Sequence, residues 1–415
     1  MFKKILGTKD ILPEEAACWQ KIEEASRNIF SIYNYKEIRP PLIENAGLFT
    51  RSLGESTEIV QKQMFLIKRE ADLYALRPEG TASLVRAYIE NNLDKTTGLV
   101  KWYYMGAMFR AERPQKGRFR QFHHLGCEAI GSTEPSVDIE VISLADRLLK
   151  SLSISGYQIQ INSLGCLKDK KELIKILHKG LEHKAAKLCF DCRARFKKNI
   201  LRILDCKNEA CRQIIKNLKI HQQHLCPDCE THFSSVKKGL DALGINYVIT
   251  PYLVRGLDYY TRTVFEITHK DLGAQDALGA GGRYDNLVEN LGGPSVGAIG
   301  FAFGIERLLL VPSTEYRVPS NNLVYMITLG EAAKAQGLKL LANLRRAGVT
   351  SDTDYEGKSL KGAMRKANDL GARYVVIIGE DEINKGVVML KDMASGEQKE
   401  VKQENLCSEL IPAAN

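Results

Sequence analysis

The sequence predicts an α+β protein: a mostly antiparallel sheet carrying packed helices, a helical insertion that interrupts it, and a small α/β domain at the C-terminal end. Three observations predict this. Strand-like segments follow one another with few helices between them, the pattern of an antiparallel sheet. A Lys-rich stretch from about Cys166 to Leu240, punctuated by cysteines, then breaks the strand pattern, which returns at Tyr247. Finally, 415 residues exceed the roughly 250–300 that one core usually serves, and a Pro-bearing polar stretch near the C-terminal quarter offers a boundary.

Pro13 suits a first helical turn, and Trp19, Ile22, Ala25, Ile29 and Ile32 recur near helical spacing, so a helix is predicted over Glu14–Tyr33. Strands are expected around Leu99–Tyr104, Phe122–Ile130, Gln158–Ser163, Thr263–Thr268 and Gly297–Phe303, with a helix over Val137–Leu152. The predicted sheet domain therefore covers residues 1–165 and 241–312, with residues 166–240 inserted into it. The segment VPSTEYRVPSNN reads as a linker, placed at 313–322. Beyond it, residues 323–415 alternate strand Leu323–Leu329, helices Glu331–Ala347 and Ser359–Leu370, and strands Tyr374–Ile378 and Val387–Leu390.

The hydrophobic fraction is 44% and the charged fraction 26%, ordinary values for a folded, water-soluble chain. Asp10, Glu14 and Glu15 arrive before any sustained apolar stretch, so neither a secretion signal nor a membrane span is expected and the protein should stay in the cytoplasm. Seven of the ten cysteines lie between Cys166 and Cys229, too clustered for a disulfide scaffold. Between Cys166 and Leu240, 18 Lys and Arg face 8 Asp and Glu, a surplus of ten in a chain whose formal charge is +9. One segment thus holds the entire excess, the electrostatic footprint expected for a polyanion such as nucleic acid.

The densest chemistry runs from Tyr103 to Glu128. Two strand-like segments flank a loop with Arg113, Lys116, Arg118 and Arg120, turned by Pro114 and Gly117, and Arg110 stands where the first strand ends. A forked, permanently charged guanidinium on a rigid element suits a phosphate. A solvated basic hairpin accounts for Arg118 or Arg120 singly, but poorly for the whole arrangement. A second arginine lies in Leu253-Val-Arg-Gly-Leu-Asp-Tyr-Tyr260, where Gly256 permits close approach to a ligand. The Gly279-Ala-Gly-Gly-Arg-Tyr-Asp285 string reads as a glycine-rich turn, and Gly297–Leu310 is also glycine-rich; neither fits a P-loop or a dinucleotide fingerprint.

These residues resemble one family, the class II histidyl-tRNA synthetases. Motif 1 lies near Arg39-Pro-Pro-Leu-Ile-Glu44, motif 2 carries Arg110 and ends at Glu128, and motif 3 ends at Arg307. Leu76-Arg-Pro-Glu-Gly-Thr81 and the Leu253–Tyr260 string mark the histidine-specific branch. The resemblance implies activation of L-histidine by ATP with Mg²⁺, then transfer to a histidine tRNA. It implies Arg110 and Arg255 at the α-phosphate, with Arg118, Glu112 and Arg307 completing the ATP contacts. The histidine pocket implied comprises Glu79, Gly80, Thr81, His124, Glu128, Arg255, Tyr259, Tyr260 and Tyr284, with Arg283 as a further lining candidate. Where the family usually has glutamine, His124 stands here, and its protonation would set a cation near the substrate ammonium. Thr57-Glu58 and Gln63 are smaller departures. Motif 1 implies a homodimer, and the C-terminal domain implies anticodon reading, with Lys358, Lys361 and Arg365 as candidates.

Cys189-Phe-Asp-Cys192 and Cys226-Pro-Asp-Cys229 have the spacing of zinc knuckles, so one structural Zn²⁺ site built from both pairs is weighed against reduced thiols without metal; Cys206, Cys211 and His224 are competing ligands. Two rival functions are a catalytically silent regulator that binds histidine and partners ATP phosphoribosyltransferase, and a sister synthetase for proline, threonine or glycine. The regulator is expected to lack the motif arginines and the C-terminal domain; the Leu253–Tyr260 string argues against a sister branch.

Overall fold

The computed structural model describes residues 2–55, 57–96, 98–218, 220, 222–273, 276–313 and 322–410. The chain forms two compact units, Met1–Arg317 and Val318–Asn415. Apart from its two end residues, the stretch 313–322 read as a linker lies outside the described residues.

The first unit contains strands β1 Lys36–Glu37, β2 Ile43–Asn45, β3 Phe65–Arg69, β4 Asp72–Leu76, β5 Val100–Phe109, β6 Gln121–Ile130, β7 Tyr157–Ser163, β8 Tyr247–Ile249, β9 Thr261–His269, β10 Ala277–Arg283 and β11 Ala298–Gly304. Its helices are α1 Pro13–Ile32, α2 Ala46–Leu53, α3 Thr81–Glu90, α4 Pro135–Ser151, α5 Leu167–Leu181, α6 Phe190–Lys198, α7 Glu209–Lys216, α8 Pro227–Ala242, α9 Leu287–Asn290 and α10 Ile305–Leu308. Eight strands form one sheet in the order β1-β5-β6-β11-β10-β9-β7-β8. Every interior pairing is antiparallel, and only the edge pairs β1 with β5 and β7 with β8 are parallel. A smaller antiparallel sheet, β2-β4-β3, sits beside it in the chain.

Alternation along β6 sorts its side chains to two faces. Leu125, Cys127 and Ala129 enter the main core with α1 and α4, whereas His124 and Glu128 line a cleft on the other face. The glycine-rich string read as a turn is instead β10, at the middle of the sheet. A Cβ at Gly281 would lie 2.6 Å from both Phe265 Cζ and Phe301 Cβ, so only a residue without a side chain lets β10 lie this close to its neighbours. Between β7 and β8 the chain runs through α5 to α8. The last of these places Phe233, Val236 and Leu240 in the main core, so this helix backs the sheet rather than standing apart from it.

The second unit adds β12 Val324–Thr328, β13 Ser351–Thr353, β14 Tyr374–Ile378, β15 Val387–Asp392 and β16 Gln398–Lys402, with α11 Glu331–Arg346, α12 Leu360–Asp369, α13 Glu380–Lys385 and α14 Leu406–Leu410. The sheet order is β13-β12-β14-β15-β16, parallel among the first three strands and antiparallel beyond. Val324 and Met326 enter one apolar layer, Tyr325 and Ile327 the other, so β12 is covered on both faces as a central α/β strand must be.

Gly281→Ala should lower stability by roughly 1–3 kcal/mol through overpacking at the centre of the sheet. Chemical denaturation followed by fluorescence checks this; a midpoint equal to wild type would contradict the close-approach argument.

Candidate active site

A cleft of about 760 Å³ opens over the sheet face that carries His124 and Glu128. That volume lies within the range of small-molecule sites. Its walls come from distant parts of the chain: the end of β5, the loop to β6, the segment before β9, and α10. The cleft gathers Glu79, Thr81, Arg110, Glu112, Arg118, His124, Glu128, Arg255, Tyr259, Tyr260, Tyr284 and Arg307, nearly every residue the sequence proposed for substrate.

Two proposed residues stand elsewhere. Gly80 is not among the residues lining the cleft; a Cβ there would fall within 2.7 Å of the Tyr104 hydroxyl, so this glycine makes room for a buried tyrosine. Arg283 is fully buried beneath the sheet, donating to the Ser132 carbonyl at 2.8 and 3.0 Å and pairing with Asp138 and Asp285. Its role is structural, because a guanidinium buried against two carboxylates and a carbonyl has little left for a ligand.

One neighbourhood of the cleft is built around carboxylates. Both oxygens of Glu79 accept the backbone N–H groups that open α3, Thr81 N at 2.7 Å and Ala82 N at 2.8 Å, which fixes its orientation. Glu128 accepts from the Thr81 hydroxyl at 2.6 Å and the Tyr284 hydroxyl at 2.5 Å. Burial pushes the Glu128 carboxyl up to about 8, against the pull of those two hydrogen bonds and with Glu79 adding to the rise. Tyr259 packs on Tyr260 and, edge-on, on Tyr284, closing an aromatic wall beside these carboxylates.

The other neighbourhood is cationic. Arg110 donates from Nε to the Pro78 carbonyl at 2.9 Å and lies over the Phe122 ring, so its remaining N–H groups are held at a fixed place. Burial lowers its affinity for the proton, with Glu112 and Glu79 opposing that shift. Arg255 pairs with Glu266 at 2.5 Å, while its Nε is buried without a protein partner among the described residues. Arg118 pairs with Glu112 at 3.2 Å, and Arg307 donates to the Ala277 carbonyl. Arg118 also bears electrostatically on Arg307, so two cations share one end of the cleft.

His124 lies between these groups. Burial, and then the positive charge of Arg110 and Arg77, hold its imidazole down at about 3, so it is neutral at physiological pH and places no cation near an amine. The feared repulsion does not arise.

Sequence reading missed several residues of the cleft. Arg202, Asp205, Lys207 and Arg212 belong to the basic insertion, yet they line the same cavity. Their signal was the charge surplus, which gave a sign but no location. Glu266, paired with Arg255, was equally silent because nothing in β9 marks one carboxylate among its alternating side chains.

The cysteines do not group as their spacing proposed. Cys189 and Cys192 gather with Cys206 and Cys211, whereas Cys226 and Cys229 gather with Cys166 and Asp169. The reason is helical. Cys189 precedes α6 and Cys226 precedes α8, and each helix start meets a different neighbour. His224 is in neither group.

An antiparallel sheet with an arginine-lined cleft on one face and a linked α/β unit defines a class II aminoacyl-tRNA synthetase. The histidyl-tRNA synthetase family model matches residues 7–308, and an anticodon binding domain model matches residues 323–411. The histidine–tRNA ligase of Halothermothrix orenii is 47% identical, covering 97% of both chains. That of Thermodesulfovibrio yellowstonii is 46% identical over 98% of this chain and 97% of its own. The crystal structure of apo histidyl-tRNA synthetase from S. aureus superposes with a TM-score of 0.81 at 36% identity, covering 99% of this chain and 100% of that one. The chain belongs to the histidyl-tRNA synthetase family.

The raised value at Glu128 has a thermodynamic sign. The folded state keeps a proton that the unfolded chain releases above its ordinary value near 4.5, so this contribution to stability is full below that pH and is lost as pH rises towards 8. Glu128→Gln should therefore flatten the fall in stability between about pH 5 and 8 relative to wild type. Urea midpoints across that window check it; parallel curves would contradict a buried, protonated Glu128.

Proposed function

We propose that this chain joins histidine to its tRNA. It activates L-histidine with ATP to histidyl-adenylate and pyrophosphate, then passes the histidyl group to the terminal adenosine. The observation that carries this reading is the convergence of Arg110 and Arg255, far apart in sequence, on one cleft with Glu79, Glu128 and the tyrosine wall.

The substrate carboxylate is ionised at neutral pH, so the first step needs no general base. It needs alignment with the α-phosphate and cations where charge develops as pyrophosphate leaves. Arg110 and Arg255, both largely buried, supply those cations. Arg118 and Arg307 share the region suited to the far phosphates, with Glu112 orienting Arg118. Glu112, Glu266 and Asp276 line the cleft as hard oxygen donors of the type Mg²⁺ takes alongside ATP phosphates. When bound, Mg²⁺ neutralises charge on the departing pyrophosphate.

Histidine is selected at the carboxylate end. Glu79 and Thr81 suit the substrate ammonium, while Glu128, His124 and the Tyr259, Tyr260 and Tyr284 hydroxyls offer acceptors and donors for an imidazole. Buried polar groups left unpaired by another amino acid cost enough to discriminate by roughly 10⁴-fold. Residues 1–165 and 241–312 serve catalysis, 166–240 the tRNA phosphates, and 323–415 the anticodon. Lys358 is exposed and paired with Glu356, so it offers a loosely held charge there. A homodimer working in the cytoplasm completes the proposal; among the described residues no helix is long and apolar enough to cross a membrane.

The silent-regulator reading has less support, because Arg110, Arg118, Arg255 and Arg307 all reach the cleft. ATP–pyrophosphate exchange with each amino acid in turn should proceed with histidine alone; exchange with proline, threonine or glycine, or with none, would overturn the reading. Arg255→Ala should lower the exchange rate by about 10³-fold or more with the fold intact by circular dichroism. A near-wild-type rate would remove Arg255 from catalysis.

A further inference from the structure

We propose that Cys189, Cys192, Cys206 and Cys211 form a structural zinc site that braces the insertion segment lining the active-site cleft. Their four sulfur atoms all lie within 4.8 Å of one another. Four thiolates around one zinc, with Zn–S near 2.3 Å, put the sulfurs about 3.8 Å apart. The Cys189 and Cys206 sulfurs are 3.9 Å apart.

The chain order fits as well. Cys189 and Cys192 are spaced as a knuckle by two residues, and Cys206 and Cys211 by four, within the range of zinc-binding pairs. The surroundings are those of a closed structural site. Cys192 and Cys211 are fully buried and Cys206 nearly so, among Leu188, Ile200, Ile203 and Ile215. The Cys189 backbone N–H donates to the Cys211 sulfur at 3.2 Å, and Asn208 caps the helix that carries Cys211, so two ligands are held in place by surrounding hydrogen bonds. Four thiolates and one Zn²⁺ leave a double negative charge. Arg195, which donates to the Arg202 carbonyl, and Arg212, which donates to the Cys206 carbonyl, stand beside the cluster and supply compensating charge, although Arg195 and Arg202 also pair with Glu58.

The second cluster carries no such assignment. Asp169 already accepts the backbone N–H of Cys166 at 3.2 Å and of Cys226 at 3.1 Å, capping two helices with the oxygens a metal would need.

The functional consequence follows from position. Arg202, Asp205, Lys207 and Arg212 lie within or beside the stretch from Cys206 to Cys211 and line the cleft. A metal joining this stretch to the start of α6 fixes that wall. The assignment is independent of the substrate.

Full-length protein purified without chelators should contain about one equivalent of zinc by elemental analysis. Cys206→Ser and Cys211→Ser should each fall below about one-tenth equivalent, whereas Cys226→Ser and Cys229→Ser should keep the wild-type content. Wild-type protein with under about one-tenth equivalent, or loss of metal from the Cys226→Ser protein, would overturn the proposal. Because the Cys206 and Cys211 variants could fail to fold, Co²⁺ exchanged into the wild-type chain gives a second readout. Intense tetrahedral ligand-field bands with sulfur charge transfer are expected, and the weak spectrum of an octahedral oxygen-ligated ion would refute four-thiolate binding.

Discussion

The site rests on a sheet floor from which side chains have been removed. Gly126 on β6 and Gly300 on β11 lie on the cleft face of adjacent strands, where a Cβ at either would strike a neighbour. Gly279 and Gly281 on β10 allow the same close approach on the core face, against Phe303, Phe265 and Phe301. At Gly300 the obstructing group is the Glu128 carboxylate itself, and at Gly126 it is the Phe301 carbonyl together with the Tyr104 ring. The missing side chains are therefore filled space. They let a carboxylate lie flat on the sheet with Thr81 and Tyr284 bonded to its two oxygens, and they let Tyr104 pass beneath Gly80. Glycine costs conformational entropy in a strand, so its repetition here reflects close approach.

On that floor the protein separates charge. Carboxylates at one end are raised by burial, arginines at the other are held by carbonyls and counter-carboxylates, and a neutral imidazole stands between them. Desolvation is costly to each group alone, yet it strengthens every interaction a substrate makes with them.

The insertion joins the two themes. Its last helix contributes to the main core, and its cysteine-bearing loop supplies part of the cleft wall, so a segment set off by composition is structurally continuous with the first unit. Its basic charge lies both in the cleft and on the surface outside it, suited to phosphates of nucleotide and nucleic acid alike.

The sequence by itself determined five of the eight strands of the large sheet, the α/β pattern of the C-terminal unit, and the charged and aromatic side chains that gather in the cleft from β5, β6, the segment before β9, and α10. Alternation and spacing are local, and the arginines that line the cleft stand in long, specific strings. It misread β10, because glycines that mark a turn in a chain mark close strand packing in a sheet, and only neighbouring strands distinguish the two. Tertiary structure alone decided that Arg283 is buried away from the cleft, that insertion residues line it, and which cysteines meet. Spacing fixes how near two thiols are along the chain, whereas the pairing of Cys189 with Cys206 and of Cys226 with Cys166 depends on how helices from distant segments come together in space.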